Sequence, residues 1–371
     1  METGMFKAAR TPAAAALPAT PAYRSARSLV AFAVAALLVA LGVMAVPAGT
    51  ARAATGQAQA PSDRLQVWNL NTHGMETDPS SCPTSPCTDY REFVDYITDP
   101  ARVAYVPDIV TLQEAGTTVL GNPSCHEFEY ALEARTGLDY YCYETTERGG
   151  AAIVYRTGRL SYVGGTKQNV QLKERANASA GCTASSWYAL VQRFKDDLDT
   201  SKFINVASVH LPVAADDSAN PDADCAWENM KTVSSVVGGL GSSSMQIMAG
   251  DWNHFDGALT SPSQVDWQCW YTGTNADLVD SCGSTVSNLG WKDAMYRACG
   301  LSGAAAYNCL DANHWTHAGV RIDFLFTKTY AIYNQVTVDY ALAHQSAGNV
   351  STMPAQYSDH RGQGALLRYY A

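Results

Sequence analysis

Short hydrophobic runs recur along the chain and predict a protein built largely from β-strands. The runs are rich in β-branched and aromatic residues and are bounded by polar or turn-forming residues, as is typical of strands. The predicted strands are 65–70, 108–113, 151–155, 187–194, 203–210, 245–250, 321–327 and 365–370, and the predicted helices are 89–98, 126–135 and 225–238. Because so few helices separate the strands, the pattern favours two sheets packed face to face with helices outside over a parallel βαβ repeat.

The N-terminal region has the pattern of a secretory signal peptide. Basic residues precede an apolar run at 29–46, and a small-x-small site follows at 51–53. This order predicts a signal peptide over 1–53, with a membrane anchor as the alternative. We expect a flexible lead-in over 54–63 and one catalytic domain over 64–371. No other stretch is apolar enough to span a bilayer, so we expect a secreted, extracellular protein without stable membrane insertion.

Charge narrows the choice of substrates. The whole chain carries a formal net charge of −10. Residues 1–53 hold five basic residues and one acidic residue, so the remaining chain carries about −14. An acidic surface does not attract polyanions, which weighs against tight nucleic-acid binding unless a bound cation supplies positive charge at the site.

The ten cysteines are even in number and, in an exported protein, predict disulfide bonds. Sequential pairing would close five local loops, although spacing alone leaves the connectivity open. The pairs would be 82–87, 125–142, 182–225, 269–282 and 299–309.

Polar side chains fall at the ends of several predicted strands. The stretch "MAGDWNH" places Asp251 and Asn253 directly after an apolar strand, where Gly250 is expected to let the backbone turn. Asp323 lies inside the apolar run "RIDFLF", where a buried carboxylate is costly unless it is paired or holds a metal. Each such residue also has an ordinary interpretation as a turn, a solvated strand end or a core histidine. The other polar residues in such positions are Asn69, Glu114, His210, Asp359 and His360.

Taken as a set, these residues have the chemistry that phosphodiester cleavage needs. Mg²⁺ prefers oxygen ligands, with Ca²⁺ or Mn²⁺ as alternative ions, and the candidate ligands are Glu114, Asp359 and Asn69. The reaction also needs a base for the attacking water and stabilisation of charge on the phosphate. The side chains suited to those tasks are Asp251, His210, His360 and Asn253. Asp323 is a candidate partner for one histidine, whose tautomer and charge it would hold.

The order of the motifs resembles the endonuclease/exonuclease/phosphatase superfamily, which has the deoxyribonuclease I-like fold. The matching blocks run from Val67 to the C-terminus and are "WNLNTHG", "LQEAG", "RGGAAIVYR", "SVHLP", "GDWNH", "RIDFLF" and "SDHRG". Their details look most like deoxyribonuclease I and the catalytic subunit of cytolethal distending toxins. The resemblance implies an α/β fold, a four-layered sandwich in which two mostly antiparallel sheets pack face to face with outer helices. It also implies an active site at one rim.

The resemblance further implies a role for each matching residue. Asn69 and Glu114 match metal-site residues, and Asp359 matches a further ligand. Asp251 matches the residue that activates water or handles the leaving group, and Asn253 matches a contact to the scissile phosphate.

The histidines also have counterparts in the resemblance. Asp323 and His360 match a hydrogen-bonded pair at the scissile phosphate. His210 matches a second histidine, which a glutamate orients in the secreted deoxyribonucleases. Glu144 is the candidate for that glutamate, and Glu147 is its rival.

These features predict a divalent-metal-dependent phosphodiesterase, in first place a monomeric endonuclease that hydrolyses DNA. One departure weakens the match to DNA, because Ala115 and Gly116 follow the metal glutamate where deoxyribonuclease I has a basic residue for the minor groove. A sphingomyelinase-like phospholipase C acting on phospholipid head groups is the alternative, for which Trp267, Trp270 and Tyr271 offer membrane-facing aromatics. A non-catalytic binding module on the same fold is the third.

Other catalytic motifs find little support in the sequence. The chain has no G-x-S-x-G elbow and no G-x4-G-K-[ST] phosphate loop. His314 and His317 stand three residues apart but lack the glutamate pattern of zinc proteases, so we expect them in a loop.

Overall fold

The computed structural model describes fourteen stretches of the chain, all within the unit that spans Ala51–Ala371. They are residues 56–72, 88–115, 118–119, 122–145, 150–175, 181–213, 225–253, 289–296, 298–300, 305, 309–310, 312–317, 321–338 and 360–371. The predicted signal peptide and the first two residues of the predicted lead-in, 54 and 55, lie outside them.

The described residues form fifteen strands and three helices, so few helices separate the strands, as the hydrophobic runs indicate. In chain order the strands are β1 (Arg64–Asn71), β2 (Ile109–Gln113), β3 (Thr118–Val119), β4 (Asn122–Pro123), β5 (Tyr140–Glu144), β6 (Ala152–Arg156), β7 (Leu160–Tyr162), β8 (Gln168–Glu174), β9 (Thr183–Asp196), β10 (Phe203–His210), β11 (Met245–Asp251), β12 (Lys292–Asp293), β13 (Asp323–Lys328), β14 (Ala331–Val338) and β15 (Gly362–Arg368). The helices are α1 (Thr88–Ile97), α2 (Ser124–Thr136) and α3 (Cys225–Gly239).

The strands form two large mixed sheets. The first has the order β14-β15-β1-β2-β6-β5, and only its β1–β2 pair is parallel. The second has the order β12-β13-β11-β10-β9-β7, with β8 also paired to β9, and only its β10–β11 pair is parallel. Strands β3 and β4 form a separate short hairpin. Both large sheets are therefore mostly antiparallel, as predicted.

Three hydrophobic cores hold the layers together. The outer face of the first sheet packs on α1 and α2 through Trp68, Phe93 and Phe128. The outer face of the second sheet packs on α3, where Met230 is a buried member of the cluster. The third core lies between the sheets and includes Val67. The order helix, sheet, sheet, helix confirms the predicted four-layered α/β sandwich.

The alternation of side chains along each strand decides which residues meet between the sheets. In β1, Trp68 belongs to the helix-facing core, whereas Val67 belongs to the core between the sheets. Because side chains alternate with a period of two, Asn69 and Asn71 continue the face that begins with Val67. In β11, Ala249 lies in the core between the sheets and Asp251 is the next residue on that face. The space between the sheets thus changes from apolar to polar toward one rim.

Gly250 has a different role from the predicted turn. It lies inside β11 and pairs with Val209 of β10 and Phe324 of β13. A Cβ atom at this position would lie 1.8 Å from the backbone oxygen of Val209. Glycine is therefore required by the close approach of β10.

Three of the predicted disulfides are present, joining Cys125 to Cys142, Cys182 to Cys225 and Cys299 to Cys309. The other two predicted pairs, 82–87 and 269–282, lie outside the described residues. Disulfides of this kind indicate an oxidising environment. In the part of the chain that the structure describes, no helix is long and apolar enough to cross a membrane.

Candidate active site

Three neighbouring strands of the second sheet bring polar side chains together at the polar rim. His210 of β10 is paired in register with Asp251 of β11, and Asp251 is paired in register with Asp323 of β13. Adjacent strands lie about 4.8 Å apart, so side chains in register on one face are direct neighbours. All three side chains are buried. Residues far apart in sequence therefore form one contiguous group.

Asp251 is the centre of this group. Its Oδ2 accepts a hydrogen bond of 2.8 Å from Asn71 Nδ2, and its Oδ1 accepts one of 2.8 Å from the backbone N–H of Asn253. The Nε2 atoms of His210 and His360 lie 3.6 and 3.7 Å from Oδ2. The two imidazole separations exceed a hydrogen bond, and a water or a phosphate oxygen can bridge groups at such distances.

The environment of Asp251 favours its protonated form. Burial raises the pKa of Asp251, and the neighbouring Asp323 carboxylate raises it further. His360 and His210 act in the opposite direction, as does the hydrogen bond from Asn253, but the net shift is upward. A carboxyl with a raised pKa is suited to exchange a proton near neutral pH.

Asp323 and His360 form a close pair behind Asp251. Asp323 Oδ2 lies 2.7 Å from His360 Nδ1, and the Asp323 carboxylate is fully buried. The backbone N–H groups of Ile322 and Asp323 both donate to Thr316 Oγ1 at 3.0 Å, which fixes the start of β13. A carboxylate in this position sets the tautomer of the imidazole and leaves Nε2 facing Asp251.

His210 occupies the opposite side of Asp251. Its Nε2 lies 3.8 Å from Glu114 Oε1, and the edge of the Trp187 ring packs against its imidazole with ring centroids 4.5 Å apart. Contact with the partly buried Trp187 ring restricts the orientation of the imidazole. His210 therefore links the second sheet to Glu114 at the end of β2.

Glu114 and Asn253 both have left-handed backbone conformations, with φ values of 57° and 47°. Among the described non-glycine residues, only Asn334 in β14 shares this feature. Such conformations cost about 1–3 kcal/mol for residues other than glycine, and they cluster at functional sites. Asn253 Nδ2 also donates to the backbone oxygen of Leu211 at 2.7 Å, which secures the turn after β11.

The two asparagines of β1 differ in what they contact. Asn71 Nδ2 bridges Glu114 Oε1 at 3.1 Å and Asp251 Oδ2 at 2.8 Å. Asn69 lies one step deeper, where its Oδ1 accepts hydrogen bonds from Thr111 Oγ1 and Gln113 Nε2. A metal role for Asn69 stays a prediction, and it would require the Asn69 oxygen to exchange one of these two hydrogen bonds for the ion. Sequence reasoning missed Asn71, although its position two residues after Asn69, on the same face of β1, is a signal that makes it a second candidate.

Glu144 is not placed beside His210. It ends β5, which is separated from β2 by β6. Its Oε2 lies 3.3 Å from Cys125 Sγ, which is bonded in a disulfide and carries no proton. Burial raises the pKa of Glu144, while His126 and Lys167 lower it. The rival Glu147 and the predicted metal ligand Asp359 lie outside the described residues, as do Trp267, Trp270 and Tyr271.

Carboxylate and imidazole atoms at the rim have the composition of a cation site. Single ligand atoms of Asp251, Asp323 and His360 all lie within 4.8 Å of one another. Asp323 Oδ1 is buried and has no hydrogen-bond partner among the described residues, and Glu114 presents a side chain that is one-third exposed. Oxygen donors of this kind fit a hard divalent ion. A second group, Cys125, His126 and Glu144, lacks a thiolate because Cys125 is in a disulfide.

Comparison with known proteins gives matches only at the level of structure. No protein-family model matches the sequence, and no curated protein matches it. An endonuclease/exonuclease/phosphatase family protein from Leptotrichia buccalis is 12% identical with a TM-score of 0.49, covering 83% of this chain and 100% of that chain. The human Nocturnin catalytic domain with bound sulfate is 13% identical with a TM-score of 0.48, covering 84% and 97%.

A third structure is D. rerio TDP2 complexed with a single strand DNA product. It is 14% identical with a TM-score of 0.46 and covers 83% of this chain and 99% of that chain. These likenesses extend along the chain and concern the backbone alone. The roles of individual side chains here rest on the geometry of this chain.

Proposed function

We propose that the protein is a divalent-metal-dependent phosphodiester hydrolase. The observation that carries this proposal is the position of Asp251, which is buried among Asn71, His210 and His360 with Asp323 behind His360. A buried carboxyl with a raised pKa between two imidazoles has the means to transfer a proton at a reacting phosphate. The motif order of the sequence supports the same reaction class.

In this reaction, a water attacks phosphorus and the bond from phosphorus to one ester oxygen breaks. Asp251 either accepts the proton that the attacking water loses or donates the proton that the departing alcohol gains. His360, in the imidazolium form that the Asp323 carboxylate at its Nδ1 favours, donates a hydrogen bond from Nε2 to a phosphate oxygen, and Asn253 is the amide contact to the same phosphate. His210 completes the group from the side of Glu114.

The proposed metal site comprises Glu114, Asp359 and Asn69, and Asn71 is added because it contacts Glu114 directly. A bound Mg²⁺ ion, or Ca²⁺ or Mn²⁺, would neutralise charge on the phosphate as it reacts. Asn71 also holds Asp251 through the same amide group. Removal of Asn71 would therefore affect both proton transfer and ion binding.

Nucleic acid is the substrate class that we propose, with DNA first, because the motif resemblance is to deoxyribonucleases. Ala115 is fully buried and its N–H donates to the backbone oxygen of Gly150, so this position makes no minor-groove contact. We expect modest affinity for duplex DNA, with the ion supplying the local positive charge.

A substrate panel tests this function. Purified protein is incubated with supercoiled plasmid, single-stranded DNA, RNA and sphingomyelin vesicles, each with Mg²⁺, Ca²⁺ or Mn²⁺ and each repeated with EDTA. We expect plasmid nicking that EDTA abolishes. Release of phosphocholine without cleavage of any nucleic acid would show that the substrate is phospholipid instead. No turnover of any substrate would contradict the proposal.

We also propose that the mature protein is secreted and acts as a monomer outside the cell. The three disulfides support an oxidising location, and the predicted signal peptide supports export. Mass spectrometry of protein from the culture medium tests both points. We expect an N-terminus at residue 54 and the monomer mass in native spectra, whereas retention of residues 1–53 in the medium would contradict signal cleavage.

A further inference from the structure

A third imidazole lies at the rim, and the proposed reaction has not used it. The ring centroid of His317 is 4.7 Å from that of His360, and the two ring planes are inclined by 34°. The backbones of the two residues also form an isolated antiparallel bridge. His317 is partly exposed, whereas His360 is buried. His317 is therefore the more exposed of two adjacent imidazoles.

The segment that carries His317 is anchored on both sides. Thr316 is fully buried, and its Oγ1 accepts hydrogen bonds from the backbone of Ile322 and Asp323. The Thr316 backbone oxygen accepts a hydrogen bond of 2.8 Å from the N–H of Arg361. The segment is thus joined to β13 and to the residue after His360, so the backbone of His317 has a fixed position.

A second contact fixes the same segment. The guanidinium of Arg361 lies 3.6 Å from the ring centroid of Trp315, and Arg361 Nη1 donates to the Trp315 backbone oxygen at 3.3 Å. A loop that only faces solvent would not need its backbone held by contacts of this kind. A rigid segment that holds an imidazole against the Asp323–His360 pair is the arrangement expected of a residue that contacts a ligand.

We propose that His317 is a substrate-contacting residue that donates a hydrogen bond from its imidazole to a non-bridging oxygen of the phosphate bound at His360. This inference rests on the proposed function. The Nδ1 atom of His360 is engaged with Asp323, so His360 offers only Nε2 to the phosphate. Phosphate gains negative charge as water attacks, and a second donor beside the first stabilises that charge. Either neutral tautomer of imidazole carries the required N–H.

The alternative role of His317 is packing, in which its ring only holds the His360 ring in place. Two substitutions separate the roles, because His317→Phe keeps an aromatic ring but removes both nitrogens, whereas His317→Asn removes the ring but keeps an N–H donor. His126→Phe is the matched control, since His126 lies on α2 and its Nδ1 pairs with Glu129 away from the site.

The experiment measures kcat and KM for bis(4-nitrophenyl) phosphate with Mg²⁺, the affinity for inorganic phosphate by calorimetry, and Tm for each protein. We expect His317→Phe to lower kcat/KM by about 10²-fold, as loss of one donor to a developing charge does. We also expect it to weaken phosphate binding more than tenfold at an unchanged Tm. His317→Asn should retain more activity than His317→Phe, and His126→Phe should match the wild type.

The outcomes distinguish this inference from the proposed function. Wild-type values for kcat/KM and phosphate affinity in His317→Phe would overturn the contact and leave the hydrolase function intact. If the wild type hydrolyses no phosphodiester but loses phosphate binding on His317→Phe, the hydrolase function fails and the contact stands. Equal phosphate affinity of the two proteins, or no phosphate binding by the wild type, would overturn the contact without reference to turnover.

Discussion

At the scale of single residues, the site depends on a conflict that the fold imposes on Asp251. The carboxyl is buried beside a second carboxyl, which raises its pKa, yet it also lies between two histidines that favour its charge. The surroundings of Asp251 thus contain groups that favour its protonated form and groups that favour its charged form. A group in this balance changes its protonation readily when a substrate or an ion arrives, which is the property that proton transfer requires.

The raised pKa of Asp251 predicts a pH-dependent gain in stability for Asp251→Asn. A carboxyl whose pKa is higher in the folded state stabilises the fold below its unfolded pKa, and this contribution is lost as pH rises through the folded pKa. In EDTA, we expect the variant to have a higher Tm than the wild type near neutral pH. The difference should shrink as the pH falls toward the ordinary Asp pKa of about 3.9.

Thermal unfolding followed by circular dichroism at several pH values measures this difference. Asp95→Asn is the control, because Asp95 is an exposed residue of α1 and surface changes usually alter stability by less than about 0.5 kcal/mol. A Tm difference that is constant across the pH range, or larger at acidic pH, would contradict the assigned environment of Asp251.

The residue scale also shows how far sequence reasoning reaches. Asp251, Asp323 and His360 could be selected because polar residues in or beside apolar strands are unusual, and the structure brings them together. Asn71 could not be preferred over Asn69 from motif matching, because the choice depends on which one reaches the rim. Glu144 is a candidate through the resemblance alone, and its position on the edge strand β5 depends on the order of strands in the sheet.

At the scale of elements, the second sheet is shaped by the close approach of its strands at the site. Gly250 sits between β10 and β13, where a methyl group would overlap the Val209 backbone oxygen. Backbone atoms cannot move aside as a flexible side chain can. The missing side chain at Gly250 thus allows the parallel β10–β11 pair that sets His210 beside Asp251.

Gly250→Ala should therefore destabilise the protein severely, by about 4 kcal/mol or more, because the overlap forces β10 and β11 apart. Gly238→Ala is the matched control, since Gly238 is exposed in α3 and a Cβ there has nothing within 4 Å. Alanine in a helix is favoured over glycine by about 0.5–1 kcal/mol, so the control should be equally or more stable. Similar unfolding midpoints in denaturant for both variants would contradict the close packing at Gly250.

Elements with a clear face were predictable, and elements at edges were not. Each of the three predicted helices matches the observed bounds within two residues. Strands β3, β4, β5, β7, β8, β12 and β14 were not predicted. Of these, β8 and β14 contain exposed residues that break the apolar alternation. The last strand begins at Gly362, earlier than predicted. The prediction missed this start because Gly362 and Gly364 are typical of turns. They instead make room for the rings of Phe93 and Trp68.

At the scale of the whole molecule, the site forms because the two sheets pack face to face with their polar ends at the same rim. Asn71 and His360 both lie beside Asp251, although they are far apart in the sequence. Asn71 belongs to the first sheet and Asp251 to the second. Hydrophobic periodicity predicts each strand but contains no information about its neighbours in the sheet. The order of the strands is set by packing between distant segments, so the resemblance to a known fold supplied what the periodicity could not.

Disulfides act on the whole molecule by restricting the unfolded chain, and longer loops give the larger effect. The Cys182–Cys225 bond spans 43 residues and the Cys299–Cys309 bond spans 10. Replacing both cysteines of a pair with alanine should cost about 4 kcal/mol for the first bond and about 3 kcal/mol for the second. Equilibrium unfolding in guanidinium chloride measures both, and a larger loss from the short loop would contradict an entropic origin of the stabilisation.

The central claim is that Asp251 transfers a proton in metal-dependent phosphodiester hydrolysis, and one rate comparison tests it most directly. The measurement is the single-turnover rate of cleavage of a defined DNA phosphodiester with saturating Mg²⁺ for the wild type and Asp251→Asn. We predict EDTA-sensitive cleavage by the wild type and a rate about 10²- to 10⁴-fold lower for the folded variant, as loss of an acid–base group implies. A variant rate within threefold of the wild type would contradict the account.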